Sequence, residues 1–238
     1  MLAPRWCEGS PDPADNLSFN SGAELQVRQA RARAAKLLGT EPEHFTHVYQ
    51  VHGSTVMYVT VADRGKGSSP AIPQVGRGDA LITADPWLSI AVLVADCLPV
   101  FLADRRHRAV GLTHAGWRGT LARVTVETLR AMHERFATDP ADVAAWIAPG
   151  IGPCCFEVGE EVIDQFASQF PAWSDCWSIS PARIDLKEVN VRMLQSQGLR
   201  RESIEVSGDC TRCGAGYFSY RRQGPLTGHN MAALMIVE

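Results

Sequence analysis

The order of its short apolar runs and helical patterns most strongly restricts the folds open to this chain. Strand-like runs occur at residues 46–51, 55–61, 80–83, 90–94, 100–102, 109–113, 144–148, 204–206 and 231–237. Helical patterns occupy residues 22–38 and about 119–136, and two more begin at Val158 and Lys187. Because strands and helices alternate irregularly, the sequence predicts an α+β architecture with mixed sheets rather than a doubly wound Rossmann fold.

Local signals add predictions about how these elements begin, end and pair. Ser21 has the side chain of an N-cap for the first helix, and Gly39 is placed to end it. The runs 46–51 and 55–61 flank a Gly-Ser pair, which predicts a hairpin with His52 near its tip. The following segment, residues 63–78, is rich in Gly, Ser and Pro and predicts a mobile loop.

Length and composition predict one domain spanning residues 1–238. A chain of 238 residues, 45% hydrophobic and 21% charged, can bury a large core without disulfides. The seven cysteines are an odd and irregularly spaced set, and residues 1–8 lack the apolar core of a signal peptide. These features predict a reducing, cytoplasmic location, and no apolar run approaches the ~18 to 20 residues of a membrane span.

The charge of the chain favours a small-molecule partner. A formal net charge of −3 gives no broad attraction to nucleic acid or to an anionic membrane. An anionic ligand therefore needs a local group of arginines. Nothing in the sequence predicts an oligomeric state.

Three residues far apart in the chain form a candidate metal site. His52, Cys97 and His114 each follow a strand-like run, and strand ends are where folds commonly place reactive side chains. Two imidazoles and one thiolate suit Zn²⁺ with a fourth position left open, which is the arrangement of a catalytic zinc. Two other interpretations stay open. The three residues can be unconnected, or Cys97 can be a nucleophile with His114 as its base and no metal.

Six short motifs, in this order, resemble one bacterial family. They are Gln-Val-His-Gly at 50–53, Gly-Asp-Ala at 78–80, Ala-Asp-Cys-Leu-Pro-Val at 95–100, His-Ala-Gly-Trp-Arg-Gly at 114–119, Cys-Phe-Glu-Val-Gly at 155–159 and Phe-Ser-Tyr-Arg-Arg at 218–222. The chain resembles the laccase-domain proteins, also labelled multicopper polyphenol oxidase, purine nucleoside phosphorylase or peptidoglycan editing factor. The resemblance extends from about Asn16 to the C-terminus.

The resemblance implies a fold, a metal and an activity. The fold is a layered α/β/β/α sandwich related to cysteine deamidase toxins, and the metal is zinc held by His52, Cys97 and His114. The activity is phosphorolysis of adenosine, inosine and methylthioadenosine, together with deamination of adenosine. One alternative is a cysteine-type amide hydrolase that edits cell-wall precursor peptides, with Cys97 as nucleophile. Another is a nucleoside-binding module without catalysis.

The polyphenol oxidase label agrees poorly with the composition. Several copper centres need a large set of imidazole ligands, and the chain has seven histidines. Four of these lie beside charged or helix-like stretches, which predicts surface positions for His44, His47, His107 and His133. Copper can still load adventitiously into a site of two histidines and a cysteine, because Cu²⁺ outcompetes Zn²⁺ for most such ligand sets.

Deamination also requires a carboxylate that moves a proton. The motifs contain Asp79, Asp96 and Glu157. Asp79 is the first candidate because the preceding glycine permits close approach to a ligand, although a turn or capping role is its alternative. The predicted catalytic set is therefore Cys97, His114 and Asp79.

Phosphorolysis requires fixed cationic donors for phosphate. Arg118 is the first candidate because guanidinium groups bind phosphate through two hydrogen bonds and this residue lies at a helix start. Arg31, and either Arg221 or Arg222, are further candidates. Where the family has Asn-Arg on the first helix this chain has Ala30 before Arg31, which puts one substrate contact in doubt.

Two aromatic residues and one late substitution also bear on the predicted substrate site. Phe218 and Tyr220 are candidates to stack on a purine, although their period-two spacing also fits ordinary strand packing. His229 stands where the family has an arginine before the final strand. The departures at Ala30 and His229 leave the metal triad unchanged.

Four of the other cysteines are predicted to be structural. Cys210 and Cys213 have the Cys-x-x-Cys spacing of a zinc knuckle or a redox pair, but no second pair follows at a suitable interval. The adjacent Cys154 and Cys155 are predicted to be buried or turn residues.

Overall fold

The computed structural model describes residues 12–237. Its helices are α1 (Glu24–Leu38), α2 (Trp117–Leu121), α3 (Val124–Phe136), α4 (Glu160–Gln169), α5 (Leu186–Ser196) and α6 (Tyr220–Gln223). Its strands are β1 (Thr46–His47), β2 (Val56–Tyr58), β3 (Ala80–Thr83), β4 (Ile90–Val94), β5 (Leu98–Asp104), β6 (Ala109–Ala115), β7 (Val143–Ile147), β8 (Trp177–Ile179), β9 (Ala182–Ile184), β10 (Ile204–Val206) and β11 (Asn230–Leu234).

The strands form two main sheets of mixed direction. The larger sheet has six strands in the order β10-β7-β5-β6-β3-β2, and the smaller has three in the order β1-β4-β11. In the larger sheet β5 and β6 are antiparallel from the pair Leu98–Ala115 to the pair Asp104–Ala109, whereas β10 runs parallel to β7. The strands β8 and β9 form a separate antiparallel pair. The predicted α+β class with mixed sheets is confirmed.

Alternating side chains on β5 separate two apolar cores. Leu98, Val100 and Leu102 point to one face of the larger sheet, where they join buried residues of α3, α4 and α5. Phe101 points to the other face, where it joins residues of β4 such as Val92. Successive strand residues face opposite sides, so each buried strand serves both cores.

A third core lies between the smaller sheet and the first helix. Ala91 and Met231 belong to strands of the smaller sheet and pack against Ala30 and Ala34 of α1. The layers therefore follow one another as helices, larger sheet, smaller sheet and α1, which is the expected α/β/β/α order. Ala30 is a small packing residue here, with 3% of its surface exposed.

Two helix boundaries differ from the predictions. Helix α1 begins after Ala23 rather than at Ser21, and it ends as predicted at Gly39, whose φ of 74° is left-handed. The single helix predicted over 119–136 is two helices, because Arg123 adopts a left-handed φ of 60° between α2 and α3.

The predicted hairpin around His52 is wrong. Strand β1 pairs with β4 in the smaller sheet, and β2 pairs with β3 in the larger one. The connection is held between the sheets by the side chain of Gln50, which donates to the carbonyl of Leu93 and accepts from its amide, both at 2.8 Å. His52 therefore lies where the chain crosses from one sheet to the other.

The segment 63–78, for which a mobile loop is predicted, consists largely of turns, and its centre is packed. Gly65, Gly67 and Ser68 are buried, and the backbone amide of His47 donates to Lys66 at 2.8 Å. Across residues 12–237 no helix combines the length and apolar character required to span a membrane.

Candidate metal centre and its cavity

His52, Cys97 and His114 converge in space. Their ligand atoms all lie within 4.8 Å of one another. The two imidazole rings meet edge to face, with centroids 4.8 Å apart. Cys97 lies in the turn between β4 and β5, and His114 lies near the end of β6, so the hairpin register brings them together. Among residues 12–237 this group could hold a metal ion.

A glycine makes the close approach of these side chains possible. A Cβ atom on Gly116 would lie 2.9 Å from Sγ of Cys97 and 3.1 Å from Cδ2 of His52. Any larger residue would push against the sulfur and the ring. The glycine in the His-Ala-Gly-Trp motif is therefore required by packing around the centre.

Asp79 fixes the orientation of His114 and of the turn at His52, from a buried position outside the cavity. Its carboxylate accepts a hydrogen bond of 2.8 Å from Nδ1 of His114, and further bonds from the amides of His52 at 2.9 Å and Gly53 at 2.7 Å. Since an ionised carboxylate only accepts, Nδ1 of His114 donates a proton to it, and Nε2 is the ring nitrogen left to contact Cys97 or a metal. Burial raises the pKa of Asp79, but the hydrogen bonds from His114 and Gly53 outweigh it and lower the pKa overall.

The position of Asp79 differs from the one expected of a proton shuttle. The side chain is fully buried and does not line the cavity described below. Both carboxylate oxygens are occupied by the protein. The geometry suits the alternative of a residue that organises the turn and orients His114.

The charges at the centre favour an ionised sulfur. Burial raises the pKa of the Cys97 thiol, but His114 and His52 outweigh this and lower the pKa to about 6. Burial in turn lowers the pKa of His114, and Cys97 together with Asp79 raises it to about 9. A thiolate is the form that binds zinc and also the form that attacks a carbonyl, so both interpretations of Cys97 are consistent with this arrangement.

His52, Cys97 and His114 line a cavity of about 1240 Å³. Arg118, Arg31, Arg221 and Tyr220 also line it, as does His229. Volume and lining residues are suitable for a small molecule that carries an anionic group.

Arg118 and Arg31, which both line the cavity, differ in how far their guanidinium groups are engaged by the rest of the protein. Arg118 is exposed, with its guanidinium 4.1 Å from the centroid of the Trp117 ring. Arg31 is 3% exposed and donates to the carbonyls of Leu17 and Ser68, both at 3.0 Å, so much of its donor capacity serves packing. Arg118 has the greater freedom to meet a ligand.

Arg221 and Arg222 diverge. Nη1 of Arg221 donates to the carbonyl of Glu157 at 2.7 Å on the cavity wall. Nη1 of Arg222 instead donates to the carbonyls of Arg212 at 3.0 Å and Gly214 at 2.9 Å, and the residue does not line the cavity. Of the two alternatives only Arg221 reaches the site.

The two aromatic candidates also separate. Phe218 is 4% exposed, is absent from the cavity wall and packs against Gly228, so the structure does not bring it to the candidate site. Tyr220 is 56% exposed, lines the cavity and begins α6. The period-two pattern did not reveal that Ser219 caps a helix here by accepting from the amide of Arg222 at 3.2 Å.

Sequence reasoning placed His47 wrongly and named His229 only as a departure from the family pattern. His47, predicted to be a surface residue, is 4% exposed and lines the cavity, and its Nε2 has no hydrogen-bond partner among residues 12–237. Burial and then Arg31 hold its pKa well below the ordinary value, so the ring is neutral. His229 contacts Ser21 through Nδ1 at 3.3 Å.

The prediction that Cys210 and Cys213 lack a second cysteine pair is wrong. Their sulfurs lie within 4.8 Å of those of Cys154 and Cys155. The missing signal was the parallel pairing of β7 with β10, which brings the turns after the two strands together.

Comparison with known proteins identifies the family. Residues 9–237 match the family model described as multi-copper polyphenol oxidoreductase laccase, and the chain belongs to this family. The resemblance inferred from the six motifs is thereby confirmed.

Individual relatives cover most of the chain. It is 35% identical over 223 residues to purine nucleoside phosphorylase YlmD of Geobacillus stearothermophilus, covering 91% of this chain and 81% of the relative. It is 31% identical to adenosine deaminase RL5 from an unknown prokaryotic organism, covering 88% and 82%. The crystal structure of YlmD from Geobacillus stearothermophilus superposes with a TM-score of 0.90 at 33% identity, covering 98% of this chain and 90% of that one.

Proposed function

We propose that this protein is a zinc-dependent enzyme that acts on purine nucleosides. The observation that carries the proposal is the convergence of His52, Cys97 and His114 at a cavity that Arg118 also lines. The names of the relatives support the substrate class, because one is a purine nucleoside phosphorylase and another an adenosine deaminase. The proposed reactions are phosphorolysis of adenosine, inosine and methylthioadenosine, and deamination of adenosine.

The donor set fits zinc. Imidazole nitrogen and thiolate sulfur are the ligands that zinc takes most often, and three protein ligands leave a position open. A carboxylate on the far nitrogen of a histidine, as Asp79 has on His114, is the usual partner of a metal-ligating imidazole. When bound, zinc supplies Lewis acidity for activating the nucleophile or the departing base.

Phosphorolysis requires the chain to place phosphate against the sugar. A phosphate oxygen forms a bond to the anomeric carbon, the bond from that carbon to the base breaks, and its electron pair leaves with the base. Arg118 is free to hold phosphate by two hydrogen bonds, which offsets the repulsion between two electron-rich groups. Tyr220 lies on the same wall and provides a ring for the purine.

Deamination uses water as the nucleophile instead of phosphate, and the water attacks the purine rather than the sugar. The water oxygen bonds to the purine carbon that carries the amino group, and the bond from that carbon to the amino nitrogen breaks. One water proton goes to the departing nitrogen, which leaves as ammonia, and the other goes to the neighbouring ring nitrogen. Asp79 fits a positioning role in this reaction, since it holds His114 in one tautomer and contacts the turn at His52. It does not face the reacting atoms.

The experiment separates the two nucleophiles. Adenosine is incubated with zinc-loaded protein in phosphate buffer and, in parallel, in a phosphate-free buffer, and the products are separated by chromatography. We expect adenine and ribose 1-phosphate only where phosphate is present. Deamination should give inosine in the phosphate-free buffer, and inosine together with its phosphorolysis product hypoxanthine in phosphate buffer. Absence of every product from adenosine, inosine and methylthioadenosine would contradict the proposal.

A second candidate function rests on one specific observation. Cys97, His114 and Asp79 are linked in the order of a cysteine nucleophile, its base and a carboxylate that orients the base. This order fits an amide hydrolase acting on cell-wall precursor peptides. It predicts a covalent adduct on Cys97, visible in the intact mass of protein trapped during turnover, and activity that persists after metal removal. The zinc enzyme predicts no adduct and no activity without the metal.

A further inference from the structure

The structure points to a second zinc site, formed by four cysteines outside the candidate active centre. We propose that Cys154, Cys155, Cys210 and Cys213 bind one structural Zn²⁺ as a tetrathiolate. This inference does not depend on the nucleoside activity proposed above.

The distances between the sulfurs agree with a common metal. All four sulfurs lie within 4.8 Å of one another. Sγ of Cys213 is 3.6 Å from that of Cys154 and 3.3 Å from that of Cys155. A tetrahedral zinc with Zn–S bonds of about 2.3 Å places its sulfurs roughly 3.8 Å apart, whereas a disulfide bond is about 2.05 Å long. All four are free thiols in this structure.

The backbone around Cys210 is arranged for a thiolate. Its sulfur accepts a hydrogen bond from the amide of Gly152 at 3.2 Å, and the amides of Arg212 and Cys213 also donate to it. Two N–H groups of the Cys-x-x-Cys turn and one of the turn after β7 are therefore directed at one sulfur. Such donors stabilise negative charge on sulfur, as a metal-bound thiolate requires.

Two cationic side chains lie near the cluster. Nη1 of Arg212 lies 3.5 Å from Sγ of Cys155. Nζ of Lys187 donates to the carbonyls of Ser207 at 2.7 Å and Asp209 at 2.6 Å, directly before Cys210. Four thiolates at these separations repel one another strongly, and a dication with two neighbouring cations offsets that repulsion.

The parallel pairing of β7 and β10 indicates which parts of the fold the metal would hold together. Cys154 and Cys155 lie in the turn after β7, and Cys210 begins the turn after β10, so the ion would join the ends of two adjacent parallel strands. Cys154 and Cys155 also line the cavity of the candidate active centre. The four cysteines with their metal, here called the clamp, would therefore form part of the cavity wall.

The clamp connects to the candidate metal centre through one hydrogen bond. Oγ1 of Thr211 donates to Oδ1 of Asp96 at 2.6 Å. Asp96 precedes Cys97 and has a left-handed φ of 94°, a conformation that needs support from its surroundings. Loss of the clamp is therefore expected to loosen the turn that presents Cys97.

Metal stoichiometry tests the proposal on the full chain. Protein produced with zinc is freed of loosely bound metal, and zinc per chain is measured by mass spectrometry. We expect two equivalents for the wild type, one for His114→Ala, one for Cys213→Ser and two for the control Cys176→Ala, which changes a buried cysteine outside the cluster. One equivalent in the wild type and in Cys213→Ser, with none in His114→Ala, would overturn the proposal.

A second measurement decides the question if Cys213→Ser does not fold. His114→Ala protein is loaded with Co²⁺, and its absorption is recorded. A tetrathiolate gives intense sulfur-to-cobalt charge-transfer and tetrahedral bands at one equivalent, and these are lost on alkylation of the thiols. Absence of the bands, or an intact mass 2 Da lower from a disulfide between two of these cysteines, would overturn the zinc site.

Discussion

Asp79 accepts a hydrogen bond of 2.8 Å from Nδ1 of His114, and this pair is buried behind the candidate metal centre. The bond selects the tautomer whose Nε2 is available to a metal. It also places the carboxylate beneath the turn that carries His52. One side chain therefore positions two of the three proposed ligands.

Replacing Asp79 by Asn tests this positioning role. The variant replaces the charged carboxylate that accepts from His114 by a neutral amide, which stabilises the ring less. Zinc affinity should therefore fall by roughly 10- to 100-fold. The free energy of unfolding should also fall by ~1–3 kcal/mol, because a buried acceptor of backbone amides is changed. Competition with a chromogenic chelator measures the affinity, and urea unfolding measures the stability.

The matched control is Asp85→Asn, which alters a carboxylate that accepts from the amide of Val61 at 2.7 Å away from the centre. Its zinc affinity should equal that of the wild type. Equal affinities for Asp79→Asn and wild type would show that the carboxylate does not act through the metal ligands.

Arg118→Ala should affect phosphorolysis more than deamination. Loss of a guanidinium that holds phosphate is expected to raise the KM for phosphate by about tenfold, equivalent to ~1.4 kcal/mol. Deamination of adenosine in phosphate-free buffer should change little, because its nucleophile is water. Steady-state kinetics in the two buffers measures both effects, with Arg130→Ala, an exposed arginine of α3, as the control. An equal loss in both reactions would contradict a phosphate-binding role.

Replacing Tyr220 should change substrate binding, whereas replacing Phe218 should change the stability of the fold. Tyr220→Ala removes an exposed ring from the cavity wall, so the KM for nucleosides should rise by the equivalent of ~1–3 kcal/mol of stacking. Stability should remain close to that of the wild type. Phe218→Ala opens a space in a buried region and should reduce the free energy of unfolding by ~3–5 kcal/mol, with the KM of the folded protein unchanged. A larger KM effect for Phe218→Ala would reverse the assignment.

Asp104 should contribute to stability in a pH-dependent way. Burial raises its pKa, but hydrogen bonds, including those from the amides of Arg106 at 2.9 Å and His107 at 3.0 Å, outweigh it and lower the pKa. A lowered pKa in the folded state stabilises the protein above the unfolded pKa of ~3.9, and this contribution is lost as the pH falls through the folded pKa.

Urea unfolding of Asp104→Asn at neutral and acid pH tests that sign. The variant should be less stable by ~1–2 kcal/mol at neutral pH, and the difference should shrink in acid. Asp164→Asn, an exposed change on α4, should show no such dependence. A difference between Asp104→Asn and wild type that grows in acid would contradict the assignment.

The candidate metal centre was the part of the site most accessible to sequence reasoning. His52, Cys97 and His114 follow apolar runs, and side chains at strand ends tend to gather at one edge of a fold. The apolar runs that predicted β3, β4 and β5 reflect burial of both sheet faces, whereas the order of the layers was implied by the family resemblance.

The remaining features depend on contacts that no local pattern records. Gln50 bonds to Leu93, 43 residues away, and this contact replaces the predicted hairpin by a crossing between sheets. The role of Asp79 depends on its complete burial, since an exposed carboxylate in the same motif could carry a proton to a ligand. Cys154 meets Cys213 only because two strands distant in sequence are neighbours.

Metal removal and return, followed by adenosine turnover, tests the central claim most directly. Wild-type protein is stripped with a chelator, assayed in phosphate buffer, reloaded with one equivalent of Zn²⁺ at a time and assayed again. The His114→Ala variant and the control His133→Ala, an exposed histidine of α3, receive the same treatment. The account predicts that turnover disappears on stripping and returns with zinc in wild type and His133→Ala but not in His114→Ala. Undiminished turnover by the metal-free wild type would contradict it.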